Sequence, residues 1–278
     1  MPSIREALTP PVTIVIPTYD RTRYLRETVA SILGQSFVDF ELVVADSGSS
    51  EDVARALSTF ADSRLSITRF DHSLGFPDNI NRAMRLGKGE YVIAFHDDDA
   101  MHPELVASEL ALMSNDAALV FVATGYMPIR EGAAIGNFPS QPMRGVEIYK
   151  DDKDLALAFL RHGELCFPSV MYRRSSLREH FIDGSRFGLA SDRAFLLQLA
   201  SEGPTAMLRG PFVNYRVHAG QVSSRATLSA SDTLSIFSLY RALLIPRWSP
   251  SVRRTFLERS TNSVPVSYTH LTLPTILR

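Results

Sequence analysis

The stretch Tyr91-Val92-Ile93-Ala94-Phe95-His96-Asp97-Asp98-Asp99 decides the fold, because it joins an apolar run directly to three aspartates. The unbroken apolar run predicts a buried β-strand. Three adjacent carboxylates repel one another, so a fold that holds them together must supply a cation, solvent or hydrogen-bond donors. Oxygen ligands suit Mg²⁺ or Mn²⁺, and the run therefore predicts a divalent-cation site at the end of this strand. A solvated acidic turn that caps the next helix is the alternative interpretation.

The segments before this strand alternate between two hydrophobic periods. Apolar runs at Val12–Ile16 and Phe40–Ala45 and the alternating stretch Leu65–Phe70 predict three further strands, and helix-period segments separate them. Alternation of this kind predicts an α/β fold with a largely parallel sheet. Because ligands bind at the carboxyl ends of the strands in such sheets, we expect the acidic residues that follow them to converge on one crevice: Asp20, Asp46 and Asp97 to Asp99.

The rest of the chain is less regular. Helix-period patterns occur at Pro103–Met113, Asp152–His162, Asp192–Ser201 and Ser231–Leu244, and short strands are predicted at Ala117–Thr124, Phe167–Tyr172, Ala206–Leu208 and Phe212–Val217. Between residues 125 and 149 the chain is rich in glycine and proline, which predicts a long irregular loop over the site.

The bulk composition excludes several classes of protein. With 278 residues, 45% hydrophobic residues and a net charge of -1, the chain has the profile of a soluble globular protein and no basic field that would attract nucleic acid. The single cysteine, Cys166, excludes an intrachain disulfide and any multi-cysteine metal site. No apolar run approaches the roughly 20 residues of a membrane span. We therefore expect a cytoplasmic protein, and a peripheral contact with the inner face of the membrane stays open.

An ordered series of motifs resembles family 2 glycosyltransferases. The series comprises Val15–Arg21, Ser31–Phe37, Phe40–Ser49, Gly75 with Asn81, Gly89–Val92 and Asp97–Glu104. Two later segments resemble the family more loosely, namely Phe187–Ser201 and Asn214–His218 with Ser223. The resemblance spans about residues 11 to 225.

This resemblance implies a GT-A fold, in which a Rossmann-like nucleotide-binding half joins an acceptor-binding half. It implies the transfer of a sugar, with inversion, from a nucleotide-diphosphate sugar to a hydroxyl of a glycan or lipid-linked acceptor. A UDP-sugar is the donor that we expect, with Mn²⁺ or Mg²⁺ as the cofactor. The processive Gln-x-x-Arg-Trp string is missing, since Leu244 precedes Arg247-Trp248 in its place, which favours the transfer of single sugars. Surface polysaccharide or glycoconjugate synthesis is the setting implied.

The resemblance also assigns roles to individual residues. The nucleotide-sugar ligands would be Pro17, Thr18, Tyr19, Asp20, Asp46, Gly75, Asn81, Asp97, Asp98 and Arg216. The metal ligands would be Asp98, Asp99 and His218, and the catalytic base would be Asp192. Each role has a plainer alternative: Asp46 could cap a helix at Glu51, Asp192 could be an N-cap, and His218 could be an ordinary histidine at a strand end.

His96 departs from the family pattern, because many members carry the first aspartate of an Asp-x-Asp-Asp string at this place. The division of roles among Asp97, Asp98 and Asp99 therefore stays open. Two alternative functions compete with sugar transfer. A sugar nucleotidyltransferase would need a glycine-rich phosphate loop with a lysine after the first strand, and Pro17–Arg21 offers none. A non-catalytic or truncated module that keeps the fold and binds nucleotide is the remaining alternative.

Five segments are predicted along the chain. Residues 1–10 are an extension, 11–115 the nucleotide-sugar-binding half, 116–228 the acceptor-binding half, and 229–263 a helical segment. The last segment, 264–278, lacks acidic residues and any helical period, and it resembles a translated cloning or assembly scar.

Overall fold

A computed structural model describes residues 9–138, 145–162 and 165–218, together with positions 239, 249–251 and 254. In these residues, one mixed sheet of nine strands is flanked by helices. The strands are β1 Val12–Thr18, β2 Phe40–Asp46, β3 Leu65–Arg69, β4 Tyr91–Ala94, β5 Ala100–Met101, β6 Phe121–Arg130, β7 Val146–Tyr149, β8 Met171–Arg173 and β9 Thr205–Val217. The helices are α1 Thr22–Leu33, α2 Val53–Leu57, α3 Asp78–Ala83, α4 Leu105–Asn115, α5 Asp152–His162, α6 Gly184–Phe187 and α7 Ser191–Ala200.

The amino-terminal half of the sheet is parallel, as the alternating pattern predicts. Its strands lie in the order β3-β2-β1-β4, so β1 stands between the two strands that end in acidic residues. Thr18 pairs with Asp46, and Val15 pairs with Ala94. The apolar runs of β1, β2 and β4 are continuous because both faces of the sheet are covered there, with one apolar cluster on each side. The edge strand β3 alternates and has no fully buried residue.

The second half of the sheet is interlocked with the first. Strand β8 lies antiparallel between β4 and β6, and β6 runs parallel to β9. The short strand β5 follows the three aspartates directly and pairs antiparallel with β9, so that Ala100 faces Asn214. Because of this pairing, the end of β9 lies beside residues 97 to 99. Arg216 of β9 thereby contacts Asp99, although the two are more than a hundred positions apart in the chain.

The irregular loop predicted between residues 125 and 149 is wrong in part. Strand β6 continues to Arg130 beside β9, and β7 pairs with β9 as well, while residues 139–144 lie outside the described residues. The two strands predicted after residue 205 are one strand, β9, whose register against β6 shifts around Gly125. A Cβ at Gly125 would lie 2.7 Å from the carbonyl oxygen of Gly210, so this crossing needs glycine. Gly125, which contributed to the loop prediction, is therefore part of a β-bulge.

Three predicted segments cannot be compared with the structure. The helix Ser231–Leu244, residues 1–8 of the extension and the tail 264–278 lie outside the described residues, apart from position 239. Ser223 also lies outside them. The predicted boundary between residues 115 and 116 falls between α4 and β6, and one sheet runs through both halves. Among the described helices, none has the length and apolar content needed to cross a membrane.

Helix α4 carries a carboxylate on its buried face. Leu105, Glu109 and Met113 follow one another at a spacing of four and are all fully buried. Neither carboxylate oxygen of Glu109 has a hydrogen-bond partner. Burial raises the pKa of Glu109 well above its usual value, so the neutral acid is the form that the core favours.

Replacing Glu109 with methionine is expected to raise the free energy of unfolding by about 1–3 kcal/mol at pH 8, because it removes an unsatisfied polar group from the core. The raised pKa of Glu109 gives the wild type a contribution to stability that is complete below the ordinary value of 4.5 and is lost as pH rises through the folded-state pKa. The gain from the substitution should therefore shrink towards pH 5. Urea denaturation at the two pH values measures it.

Glu104→Met is the matched control, since Glu104 is exposed at the N-cap of the same helix. It should not raise the stability at pH 8. A Glu109→Met protein that is less stable than the wild type at pH 8 would contradict the burial of an unsatisfied acid at this position.

Candidate active site at the carboxyl ends of the parallel strands

Thr18 connects the acidic ends of two strands. Its hydroxyl donates to Oδ2 of Asp97 over 2.8 Å, and its backbone carbonyl accepts from the N–H of Ser47 over 2.9 Å. Asp46 lies beside Thr18 in the register of the sheet. The convergence expected from the topology is thus present for Asp46 and Asp97.

The backbone of the acidic triplet, Asp97 to Asp99, is fixed by side chains from α1 and β9. The Thr28 hydroxyl lies 2.7 Å from the carbonyl oxygen of Asp99 and 3.1 Å from that of Asp97. Arg216 donates its backbone N–H to Oδ1 of Asp99 over 2.8 Å and its Nε–H to the carbonyl oxygen of Asp98 over 2.8 Å. The triplet is therefore buried and held at both faces, so the solvated-turn interpretation is wrong.

Basic side chains surround the carboxylate of Asp98. Its Oδ2 lies 2.9 Å from Nε2 of His218 and 3.3 Å from Nη1 of Arg21. Asp98 is almost completely buried, whereas the Arg21 side chain remains 41% exposed. These neighbours supply the opposite charge and the hydrogen-bond donors that a buried carboxylate needs.

Arg216 is fully buried and reaches α1. Its Nη2 donates to Glu27 over 2.7 Å, and its guanidinium carbon lies 4.2 Å from the centre of the Tyr24 ring. The same ring lies 5.7 Å from the ring of His218. Arg216 therefore holds the backbone of the triplet and links it to α1, and its predicted role as a donor ligand stays a prediction.

Burial and mutual repulsion change the pKa of several groups in the triplet. Burial, followed by the charge of Asp98, raises the pKa of Asp97 to about 6. Burial also raises the pKa of Asp99, although the neighbouring His96 opposes the shift. For His96 burial is the largest effect and would lower its pKa, but the three carboxylates together outweigh it and the net pKa is raised. The site thus has an excess of negative charge that favours the arrival of a cation.

Asp46 lines a cleft beside the triplet. Its Oδ1 accepts from the N–H of Ser49 over 2.8 Å, and its Oδ2 pairs with Arg69. The cleft has a volume of about 350 Å³, and its lining includes Asp46, Ile67 and Arg69. Helix α2 begins later, at Val53, and its cap is the side chain of Asp52. The alternative in which Asp46 caps this helix is therefore wrong.

The loop after β1 is organised by Asp20, which has a positive φ of 50°. Its Oδ1 accepts from the backbone N–H of Ser50 over 2.6 Å, and hydrogen bonding to the Ser50 side chain lowers its pKa. The carboxylate of Asp20 thus ties the loop after β1 to the loop after β2. Tyr19, next to it, is 47% exposed, and Pro17 lies in β1. Neither Asp20 nor Thr22 caps α1, whose N-cap is Arg21.

Two other predicted nucleotide-sugar ligands lie near helix α3. Gly75 precedes the helix, and Asn81 is within it. Gly75 has a φ of +78° with open space around it. Asn81 donates its amide to the carbonyl oxygen of Ile182 over 2.9 Å and accepts from the N–H of Ile182 over 2.8 Å. The structure thus places the Asn81 side chain against the backbone of the second half. Its predicted role as a donor ligand stays a prediction.

Comparison with known proteins decides which family has this site. The profile of glycosyl transferase family 2 matches residues 13–181, which contain β1 to β4, the acidic triplet and the Asp46 cleft. The chain belongs to glycosyl transferase family 2.

A characterised relative comes from Escherichia coli. It is UDP-Glc:alpha-D-GlcNAc-diphosphoundecaprenol beta-1,3-glucosyltransferase WfaP, which is 24% identical over 217 residues, or 77% of this chain and 80% of that protein.

Two solved structures have the same fold. Residues 1–349 of TarS from S. aureus, in complex with UDP-GlcNAc, give a TM-score of 0.67 at 16% identity, covering 94% of this chain and 76% of that chain. The mannosyltransferase PcManGT from Pyrobaculum calidifontis, in complex with GDP-Man and Mn²⁺, gives a TM-score of 0.54 at 16% identity, covering 97% and 80%. The predicted GT-A fold is confirmed by these likenesses.

Divalent metals are common cofactors in GT-A enzymes, and this family 2 glycosyltransferase has a donor set that fits one. Ligand atoms of His96, Asp98 and Asp99 lie within 4.8 Å of one another. Oδ2 of Asp99 is buried without a hydrogen-bond partner, as expected for an atom that a cation would satisfy. Two of the three predicted metal ligands are thus brought together. His218 contacts Asp98 but lies outside this group, which among the described residues is completed by His96.

Asp192 lies in the first turn of α7 and is half-buried. Its Oδ1 lies 2.6 Å from the N–H of Arg193, and the N-cap is Ala190, so Asp192 is not the N-cap of the alternative interpretation. Its charge adds to burial in raising the pKa of Tyr172.

A series of rings joins the neighbourhood of Asp192 to the triplet. The ring of Tyr172 lies 6.4 Å from that of Phe167, which lies 6.4 Å from the ring of His96. Asp192 and the triplet thus flank one stretch of aromatic packing.

Sequence reasoning missed four residues that shape this site. His96 and Arg21 face the triplet directly, whereas Thr28 and Glu27 act from α1. Arg21 stood inside a motif used for the family resemblance, and His96 was noted as a departure from it, so both carried a signal. Thr28 and Glu27 carried none, because neither the buried Thr28 nor the exposed Glu27 has a sequence signature of its distant partner.

Proposed function

We propose that this family 2 glycosyltransferase is a metal-dependent inverting enzyme that moves one sugar from a UDP-sugar to a hydroxyl of a glycan or lipid-linked acceptor. The observation that carries the proposal is the buried acidic triplet beside the Asp46 cleft, at the carboxyl ends of three neighbouring parallel strands. Such a crevice suits a nucleotide whose charged diphosphate reaches a cation.

Recognition of the donor divides between the cleft and the triplet. Asp46 and the Pro17-Thr18-Tyr19 loop hold the nucleotide base. Asp46 is buried and pairs with Thr18 in the sheet, and the exposed Tyr19 directly follows Thr18 in the chain. Asp97 faces Thr18 and is placed for the ribose or the metal's water shell. A UDP-sugar is the favoured donor because the name of WfaP specifies UDP-Glc and the TarS structure is a complex with UDP-GlcNAc.

In this proposal Asp98 and Asp99 are the carboxylate ligands that would hold the cation. When bound, Mn²⁺ or Mg²⁺ neutralises the charge that develops on a departing diphosphate. Arg21 lies 3.3 Å from Asp98 and is exposed enough to meet the same diphosphate oxygens.

The transfer needs one group to accept a proton. The acceptor oxygen attacks the anomeric carbon, the bond from that carbon to the diphosphate oxygen breaks, and its electron pair leaves with the nucleoside diphosphate. The proton of the acceptor hydroxyl passes to the carboxylate of Asp192. A single displacement of this kind inverts the anomeric centre.

The biological setting follows from the relatives. The name of WfaP specifies a diphosphoundecaprenol-linked acceptor. We propose that this chain also acts on a lipid-linked or glycan acceptor. The setting would be bacterial-type surface polysaccharide or glycoconjugate synthesis, with the site on the cytoplasmic side of the membrane.

A screen of donor hydrolysis tests the proposal. The full chain is incubated with a panel of UDP-, GDP-, CDP- and dTDP-sugars and Mn²⁺, and the nucleoside diphosphate released is measured. We expect release from a UDP-sugar that stops when the metal is chelated. Release that is insensitive to chelation, or confined to donors other than UDP-sugars, would contradict the corresponding part of the proposal.

A further inference from the structure

The cation site of this chain contains an imidazole inside the acidic triplet's own loop. His96 directly precedes the triplet, and its Nδ1 lies 3.5 Å from Oδ2 of Asp99. That oxygen is the buried one without a hydrogen-bond partner. His96 itself is 28% exposed, so the group is open to solvent on the histidine side.

We propose that His96 is a nitrogen ligand of the bound cation and shifts the preference of the site from Mg²⁺ towards Mn²⁺. The inference rests on the proposed function, because it takes the metal site of the donor complex as given. It goes further in naming one ligand and one consequence for metal selectivity.

The geometry favours His96 over the other imidazole of the site. The ligand atoms of His96, Asp98 and Asp99 form one group within 4.8 Å, and among the described residues His218 is not part of it. Nε2 of His218 is already 2.9 Å from Asp98, on the side of the carboxylate that Arg21 also approaches. His218 is therefore placed to orient Asp98, whereas His96 faces the unsatisfied oxygen of Asp99.

The change in selectivity follows from the chemistry of the donor atoms. Mg²⁺ is a hard cation that favours oxygen ligands, whereas imidazole suits first-row transition metals. Of the two ions proposed for the donor complex, only Mn²⁺ is a first-row transition metal, and it is the weakest binder of that series. A neutral imidazole at this position also brings one negative charge fewer than an aspartate would, which weakens the purely electrostatic hold on Mg²⁺.

Pulsed electron paramagnetic resonance of bound Mn²⁺ tests the ligand directly, because a coordinated imidazole gives a ¹⁴N coupling. The probe is Mn²⁺ alone, added to the full chain and to the variants His218→Gln and His96→Gln/His218→Gln. We expect the ¹⁴N coupling to persist in His218→Gln and to disappear in the double variant. Loss of the coupling in His218→Gln, or its persistence in the double variant, would overturn the proposal.

Calorimetry supplies a second readout that is independent of catalysis. His96→Asp restores the aspartate common in the family, and we expect it to reduce the ratio of Mn²⁺ to Mg²⁺ affinity on the order of tenfold. An unchanged ratio would overturn the selectivity. Bound Mn²⁺ without ¹⁴N coupling in the wild type would overturn this inference alone, whereas a wild-type chain that binds no Mn²⁺ would overturn the proposed metal dependence as well.

Discussion

Asp98→Asn is expected to lower kcat for sugar transfer on the order of 10²–10³-fold, because in the proposed mechanism it removes the charge that would hold the cation beside the departing diphosphate. Asp98 is buried, and both His218 and Arg21 face its Oδ2. The asparagine keeps the size of the side chain, so the loss should be electrostatic. Steady-state transfer from a UDP-sugar measures the effect.

Asp39→Asn is the matched control, since Asp39 is exposed in the loop before β2. It changes the net charge by the same amount and should leave kcat unchanged. Thermal unfolding separates a catalytic loss from a folding defect, because the buried partners of Asp98 make some destabilisation expected. An Asp98→Asn protein with wild-type kcat and wild-type dependence on Mn²⁺ would remove Asp98 from the metal site.

Asp192→Asn is expected to lower kcat by about 10²–10⁴-fold while leaving the affinity for the nucleoside diphosphate within about twofold. The reason is that, in the proposed mechanism, Asp192 takes the acceptor's proton, whereas the donor is proposed to bind at the strand ends through Asp46 and the triplet. The split between kcat and binding is the diagnostic feature. Single-turnover transfer and calorimetry with UDP measure the two quantities on the same preparation.

Asp183→Asn is the control for the Asp192 substitution. Asp183 caps α6, where its side chain accepts from the N–H of Arg186 over 3.0 Å, so it tests the effect of losing a carboxylate in the same part of the chain. Because asparagine is about as good an N-cap as aspartate, Asp183→Asn should change stability by less than about 0.5 kcal/mol and spare kcat. If Asp192→Asn weakens UDP binding while turnover per bound donor holds, Asp192 is a donor ligand and the base lies elsewhere.

The parallel half of the sheet was predictable because its physical signals are local. Strands β1, β2 and β4 are short apolar runs followed by polar loops, so their parallel pairing and the position of Asp46 and Asp97 at one edge of the sheet follow from the alternating pattern. The order of the strands does not follow from it. The acidic triplet was predictable for the same reason. The apolar strand at residues 91–94 and the helix pattern that follows are enough to put the triplet in the loop between them.

The second half was harder because its pairings are distant in sequence. Strand β5 has two residues, and its partner Asn214 lies more than a hundred positions away, so no local pattern reveals it. The extension of β6 to Arg130 was hidden by its alternating exposure and by Gly125 at the bulge. The roles of Thr28 and Glu27 depend on these same distant contacts.

The most direct test of the account is calorimetry of UDP binding to the wild-type chain with and without Mn²⁺. If the acidic triplet binds a cation that neutralises the diphosphate, UDP should bind in the presence of Mn²⁺. The affinity for UDP should then fall at least on the order of tenfold when the metal is removed. The same loss should appear in Asp98→Asn with the metal present. Equal UDP affinity with and without Mn²⁺ would contradict the central claim.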